Sequence, residues 1–252
     1  MNRPVWVIML WFGIILLAPV LSTHDPRQTN PANILQAPNA EYIFGTDALG
    51  RDIYSRTLHG GQRTLIITLG AAMIAIIPAL LLAMFTLLHP IIQQVTTVLL
   101  NALLAFPSLL GALVILTLLG RGAVPIAIAT GIAQAPFYLQ VSRDILYQQS
   151  ARPHILAARS LGASEWHIIR HHILPNATQS LAAYAGVIIA YCIINSAALS
   201  LLGLGGDPSL PDWGVMLATG RTAFRSAPWA ALAPALAITI TLTLINRASH
   251  QA

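Results

Sequence analysis

Six apolar runs recur along the 252-residue chain, at residues 5–22, 64–88, 95–119, 123–142, 179–202 and 229–246. Each has about the length that carries an α-helix across the hydrocarbon core of a bilayer. Nothing else in the sequence constrains the fold as strongly. A helix in lipid must satisfy its backbone polar groups internally, so runs of this length read as transmembrane helices. Only 8% of the residues are charged, against about 25% in an ordinary soluble domain. One water-soluble core cannot bury that much apolar surface. The expected fold class is all-α, a polytopic membrane protein with about six transmembrane helices. The net charge of +5 comes from 13 arginines and no lysine, and these arginines punctuate apolar spans rather than forming a basic stripe. Membrane lipid is therefore an expected partner and nucleic acid is not. Cys192 lies alone in an apolar run and reads as packing. Arg3 before the first run and small Ser22 at its end also suit a cleavable signal peptide, but the spans that follow favour a retained helix.

A polar island from Arg143 to Asn176 interrupts this pattern. Two short helices are expected in it. One runs from Pro153 to Leu161, where Gly162 breaks it by taking backbone angles that other residues resist. The other starts at Ser164, a plausible N-cap, and runs through Glu165 to His172 before Pro175 stops it. Small Ala157 and Ala158 beside Ile155, Leu156 and Leu161 would let the first helix lie closely in a groove of another protein. His167 and His171 are one helical turn apart, which invites a metal reading. A zinc-protease motif would need Glu where Ile168 stands, however, so a basic helix face near lipid headgroups or a partner protein is the better reading.

A second charged segment runs from Phe44 to Leu65. Gly45, Asp47, Gly50, Arg51, Asp52, Ser55 and Arg56 put turn formers and charges just ahead of an apolar run, as in a capped surface loop with weak Asp–Arg pairs. Residues 24–44, rich in Pro and Asn, read as an exposed connection. Later landmarks are Pro107, expected to kink the third span, and the run from Leu199 to Gly214. Trp213 and Trp229 are expected at the membrane interface, where amphipathic aromatics gather.

Energy-coupling chemistry is missing. A chain without lysine cannot contain a Walker A loop, and Asp and Glu fall in loops or at span ends, which leaves no proton relay inside the spans. No nucleophile elbow or selectivity ring is visible, which weighs against a stand-alone channel or an intramembrane enzyme. A purely structural membrane subunit is a third, weaker reading.

Three segments carry a resemblance. "AARSLGAS" through "HHILPN" in the island resembles the cytoplasmic coupling loop of ABC importer permeases. "GTDALGRDIYSRTLHGGQRTL" and "LSLLGLGGDPSLPDWGVML" resemble two further signatures of the C-type permease subunit of dipeptide, oligopeptide and nickel importers, and they occur in that family's order. "LLAFP" at residues 103–107 is a fourth, shorter likeness. Leu156 stands where the family has Glu, Asn101 where it has Asp, and the family's acidic-basic tail is absent. The resemblance implies a type I ABC importer permease fold and a non-catalytic subunit with no cofactor of its own. ATP and Mg would be used by two separate ABC ATPase subunits. Other implied partners are a homologous B-type permease and an extracytoplasmic solute-binding protein. The solute would be a peptide or a nickel or other metal chelate. Leu156, Ala157, Ala158, Arg159, Gly162, Ala163 and Ser164 would contact the ATPases. Residues 1–63 would form a first helix and an extracytoplasmic connection, and 64–252 the permease domain, with the coupling loop at about 143–178. The place implied is the bacterial inner membrane with both termini cytoplasmic. With the termini inside, the arginines divide six inside to seven outside, so charge alone does not orient the chain.

Overall fold

A computed structural model describes residues 3–249. Its helices are α1 (Arg3–Leu16), α2 (Ala18–Leu21), α3 (Ile53–Leu88), α4 (Pro90–Leu104), α5 (Ser108–Leu119), α6 (Ala123–Ser150), α7 (Pro153–Ser160), α8 (Glu165–Ile168), α9 (Leu174–Leu199), α10 (Trp213–Thr222) and α11 (Trp229–Ser249). Among the described residues the only β pairing is an isolated bridge between Thr46 and Asp52.

Among the described residues four helical stretches are long and apolar enough to cross a membrane: α3, α6, Glu165–Leu204, which runs from α8 through α9 to a kink at Gly203, and α11. A fifth crossing follows if α4 and α5 together form one broken span. The expected third span, 95–119, is not merely kinked. The α4 and α5 axes turn by 92° across Ala105–Pro107, because Pro107 has no N–H to extend the α4 ladder and its ring excludes a continuing helix. The first run is also shorter than expected. α1 ends at Leu16, and after Leu17 the chain makes the four-residue α2 with Pro19 in its first turn.

α3 and α6 form the centre of the bundle. α3 buries Ala71, Ala75, Ala79 and Ala83, each four residues from the last, so one face of the helix is lined by small side chains. Gly131 of α6 sits against that face, and a Cβ there would come within 2.7 Å of the Ala71 carbonyl. Close backbone approach of this kind holds helices together where no hydrophobic drive acts between them. α9 completes the core with Leu181, Ile188 and Cys192 packed against α3 and α6. α1 lies against α11, with the Trp11 indole donating to Thr241 at 2.9 Å.

Polar segments close both ends of the bundle. At one end Gly122 donates to Leu204 and Arg63 to Gly205. At the other, Tyr147 near the end of α6 donates to the Thr86 carbonyl near the end of α3.

Candidate functional site: two polar ends

The island's first helix, α7, ends much as its sequence implies. Gly162 takes φ +83° and its N–H bonds the Arg159 carbonyl at 2.9 Å, while the Ala163 N–H reaches back to Ala158 at 3.1 Å. These two bonds form a Schellman stop, which gives the last carbonyls of the helix their partners. Ser164 then caps α8, accepting from the His167 N–H at 3.4 Å.

Pro175 does not stop the second helix. The chain widens into a π turn over Ile169–Ile173 and continues directly into α9. The wider turn accommodates the missing proline N–H, with Leu174 donating to Ile169 five residues back. Side chains serve the displaced carbonyls: Asn176 donates to His172 at 2.6 Å, and the His171 ring lies 3.1 Å from the His167 carbonyl. The His167 and His171 rings stack with centroids 4.3 Å apart.

Only one side chain of α7 is anchored deeply. Ile155 is buried in the cluster of Leu146, Ile168, Ile169 and Ile173. Leu156, Ala157, Arg159, Gly162 and Ser164 are exposed, and Ala158 and Ala163 are half-buried. Leu161 is 88% exposed, and Leu156 and Trp166 are about half exposed, so large apolar groups face outward at this end. Leu156 makes no ion pair, consistent with its departure from Glu. Arg159 pairs with Glu165 instead, Nε to Oε1 at 2.7 Å and a second bond at 3.0 Å. Those bonds hold the Arg159 guanidinium above its ordinary pKa. Glu165 had no role in the sequence reading, although an acid six residues from Arg159 across a glycine stop was available as a signal.

The opposite end is built the other way round. The Gly45–Arg56 segment is not a surface loop: Asp47, Arg51, Asp52, Ser55 and Arg56 are all buried. α3 starts at Ile53 rather than at residue 64, because Asp52 caps it by accepting from the Ser55 N–H at 3.0 Å. Arg51 Nε meets Asp47 at 2.7 Å, and Arg56 lies 3.7 Å from the same carboxylate. The two guanidinium groups also tie distant segments together. Arg51 donates to the Pro208 carbonyl, and Arg56 to the carbonyls of Pro26 and Ser209. One Arg56 nitrogen and one Asp52 oxygen remain without partners among the described residues. Gly45 and Gly50 have φ near +70°, and a Cβ on Gly50 would fall 1.9 Å from the Asn30 carbonyl oxygen.

Trp213, expected at a membrane interface, is fully buried at this end. Its indole donates to the Thr57 carbonyl at 2.8 Å and its ring packs over Gly60 and Gly61. Trp229 is half-buried and donates to Thr46 at 3.2 Å. Asp212 caps α10 through the N–H groups of Gly214 and Val215, and burial raises its carboxyl pKa against those bonds. Asp212 was read only as part of a motif. Its place directly before an apolar helical run was the cap signal.

Comparison with known proteins supplies the context. The dipeptide transport system permease protein DppC of Alkalihalophilus pseudofirmus is 33% identical over 95% of this chain and 79% of its own length. The di/tripeptide transport system permease protein DppC of Pseudomonas aeruginosa is 33% identical over 92% of this chain and 78% of its own. The glutathione transport system permease protein GsiD of Pectobacterium atrosepticum is 30% identical over 95% and 80%. The crystal structure of an amino acid ABC transporter with histidines shares the fold, with TM-score 0.58 over 79% of this chain and 91% of that one at 20% identity. The model of the family described as binding-protein-dependent transport system inner membrane component matches residues 71–250. This chain belongs to that family, as an all-α, multi-pass membrane permease subunit of an ABC transport system with the type I importer permease fold.

Proposed function

We propose that this permease conducts peptides and is driven by ATPases on separate chains. Its relatives are named for dipeptides, di/tripeptides and glutathione, itself a tripeptide. In this reading the chain binds no cofactor, and ATP and Mg are used by two ABC ATPase subunits. A homologous B-type permease forms the other half of the path, and an extracytoplasmic solute-binding protein delivers the peptide. α7 faces the cytoplasm, which puts the buried Gly45–Arg56 end on the extracytoplasmic side.

The observation that carries the reading is the outward apolar surface on α7 and its flanks. Leu156, Leu161 and Trp166 are exposed, while Ile155 and the Schellman stop fix the helix to the bundle. A surface that is both sticky and rigidly mounted can transmit a push. When the ATPases close, α7 moves with them and the two permeases rock between inward and outward openings. Such a switch requires contacts that differ between the two states.

Crosslinking tests this directly. With Cys192 replaced by Ser and a single cysteine at Ala163, crosslinking in native membranes is expected to capture a chain that mass spectrometry identifies by its Walker A loop. Labelling of that cysteine only from the extracytoplasmic side, with no ATPase captured, would invert the topology and remove the proposal.

A further inference from the structure

Just past its break, α5 meets α6 and α9 at a cavity of about 160 Å3 lined by Ser108, Gln134, Phe137, Tyr184, Ile188 and Tyr191. Gln134 is only 2% exposed. Among the described residues its amide makes no hydrogen bond within the chain, yet it is not sealed off: it opens onto the cavity beside Ser108, Tyr184 and half-exposed Tyr191, whereas nearby Tyr138 donates to the Leu181 carbonyl. Tyr184, Ile188 and Tyr191 fall on one face of α9, at intervals of four and three residues.

An amide that opens onto such a cavity takes its hydrogen-bond partner from whatever fills it, and lipid tails cannot supply one. A polar side chain enclosed among membrane-spanning helices, as Gln134 is, marks a candidate functional site. Every polar group here can both donate and accept, and no charged side chain lines the cavity. The matching ligand is neutral and offers both functions, as a peptide unit does with its N–H and C=O. Phe137 and Ile188 add an apolar wall for the flanking side chain. The cavity is open at its edge, where Tyr191 is half exposed, so the rest of a longer peptide would extend outside it.

We propose that this cavity is a hydrogen-bonding station for the backbone of the transported peptide, with Gln134 at its centre and the Ser108, Tyr184 and Tyr191 hydroxyls around it. The inference rests on the peptide-permease reading above. A station of this kind engages the backbone, which all peptides share, with an apolar wall beside it for one flanking side chain.

The test uses the assembled transporter in native membranes and a radiolabelled leucyl-photoleucine dipeptide, irradiated during uptake, with the labelled residues mapped by mass spectrometry. Label is expected on α5, α6 and α9 around the cavity. Gln134→Leu should lower its yield about tenfold, the loss of one buried hydrogen-bond partner. Tyr191→Phe is half-exposed and does not endanger folding; it should lower the yield about threefold. Uptake with label elsewhere in the chain, or only on another chain, overturns the station and leaves the peptide reading standing. Label yields unchanged in both variants overturn it too. If the unmodified transporter accumulates no dipeptide, the station and the peptide reading fall together.

Discussion

The two ends of the bundle use the same kinds of residue for opposite purposes. At the Gly45–Arg56 end, charged side chains point inward. Asp47, Arg51 and Arg56 are buried and tie three stretches of chain together. At the α7 end, apolar side chains point outward, and the ion pair there, Arg159 with Glu165, is more than a third exposed on both sides. Both regions look alike in sequence, as polar islands between apolar runs. The difference lies in which groups are satisfied by the chain itself. The Gly45–Arg56 end also exposes Leu49, but its charges find internal partners; the α7 end keeps its ion pair near water and leaves Leu161 88% exposed, and it is the surface we propose for the ATPases.

The comparison is strained hardest by removing a buried charge. Asp47→Ala leaves two guanidinium groups without their shared carboxylate, and breaking one side of a buried pair costs about 3–5 kcal/mol. We expect the chain to be nearly absent from membranes, and its purified complex to unfold well below the unmodified one. A near-normal unfolding midpoint would show that this end tolerates water and is not a closed unit.

Matched glycine substitutions come next. Gly50 and Gly162 both have positive φ, which costs a residue with a Cβ roughly 1–2 kcal/mol. Gly50 also has the Asn30 carbonyl oxygen in the place of a Cβ, while Gly162 has nothing within 4 Å. Gly50→Ala should therefore be much the more damaging to stability. Gly162→Ala should fold. Gly162→Trp should also reach the membrane yet fail in peptide uptake, because in the proposed assembly the added ring would project into the ATPase's place. Normal uptake by Gly162→Trp would defeat the assignment of α7 as the coupling surface.

A third change addresses the surface itself. Leu161→Asp alters a side chain that is already exposed, so thermal unfolding of the chain should shift little. If Leu161 is covered by an ATPase, losing it removes about 1.5–3 kcal/mol of apolar burial. Retention of the ATPase during purification should then fall tenfold or more. Full retention would place the contact elsewhere on the loop.

How much of this was legible depended on whether a residue's effect stays local. The apolar runs and the Gly162 stop were readable because bilayer thickness and backbone sterics act on the segment itself. The start of α3 was not. His59-Gly60-Gly61 looks like a turn, and it is helical because Trp213, more than 150 residues later, packs over the two glycines. Pro175 reads as a stop in isolation, but a π turn with help from Asn176 carries the helix past it. The break at Pro107 was visible, and its 92° size was not, since the angle depends on the helices that α5 meets. Gln134 gave no signal as one neutral residue in an apolar run. Its meaning comes from the groups that α5 and α9 bring beside it.

The smallest effect offers the cleanest discrimination between the two ends. Arg159→Ala removes a two-bond pair with Glu165 that water already reaches, so the expected loss is about 0.2–1 kcal/mol. Exposed pairs are also screened by salt, with a Debye length of about 10 Å at 0.1 M and about 3 Å at 1 M. The unfolding midpoint of Arg159→Ala should therefore approach that of the unmodified chain as salt rises. The deficit of Asp47→Asn, a milder change at the buried end, should persist at every salt concentration. The unfolding readout is indifferent to whether Arg159 also touches an ATPase, so the result bears on the loop alone. A deficit for Arg159→Ala that is large and unaffected by salt would mean that the α7 end is closed on itself like the other, and the outward apolar surface would lose its standing as a docking site.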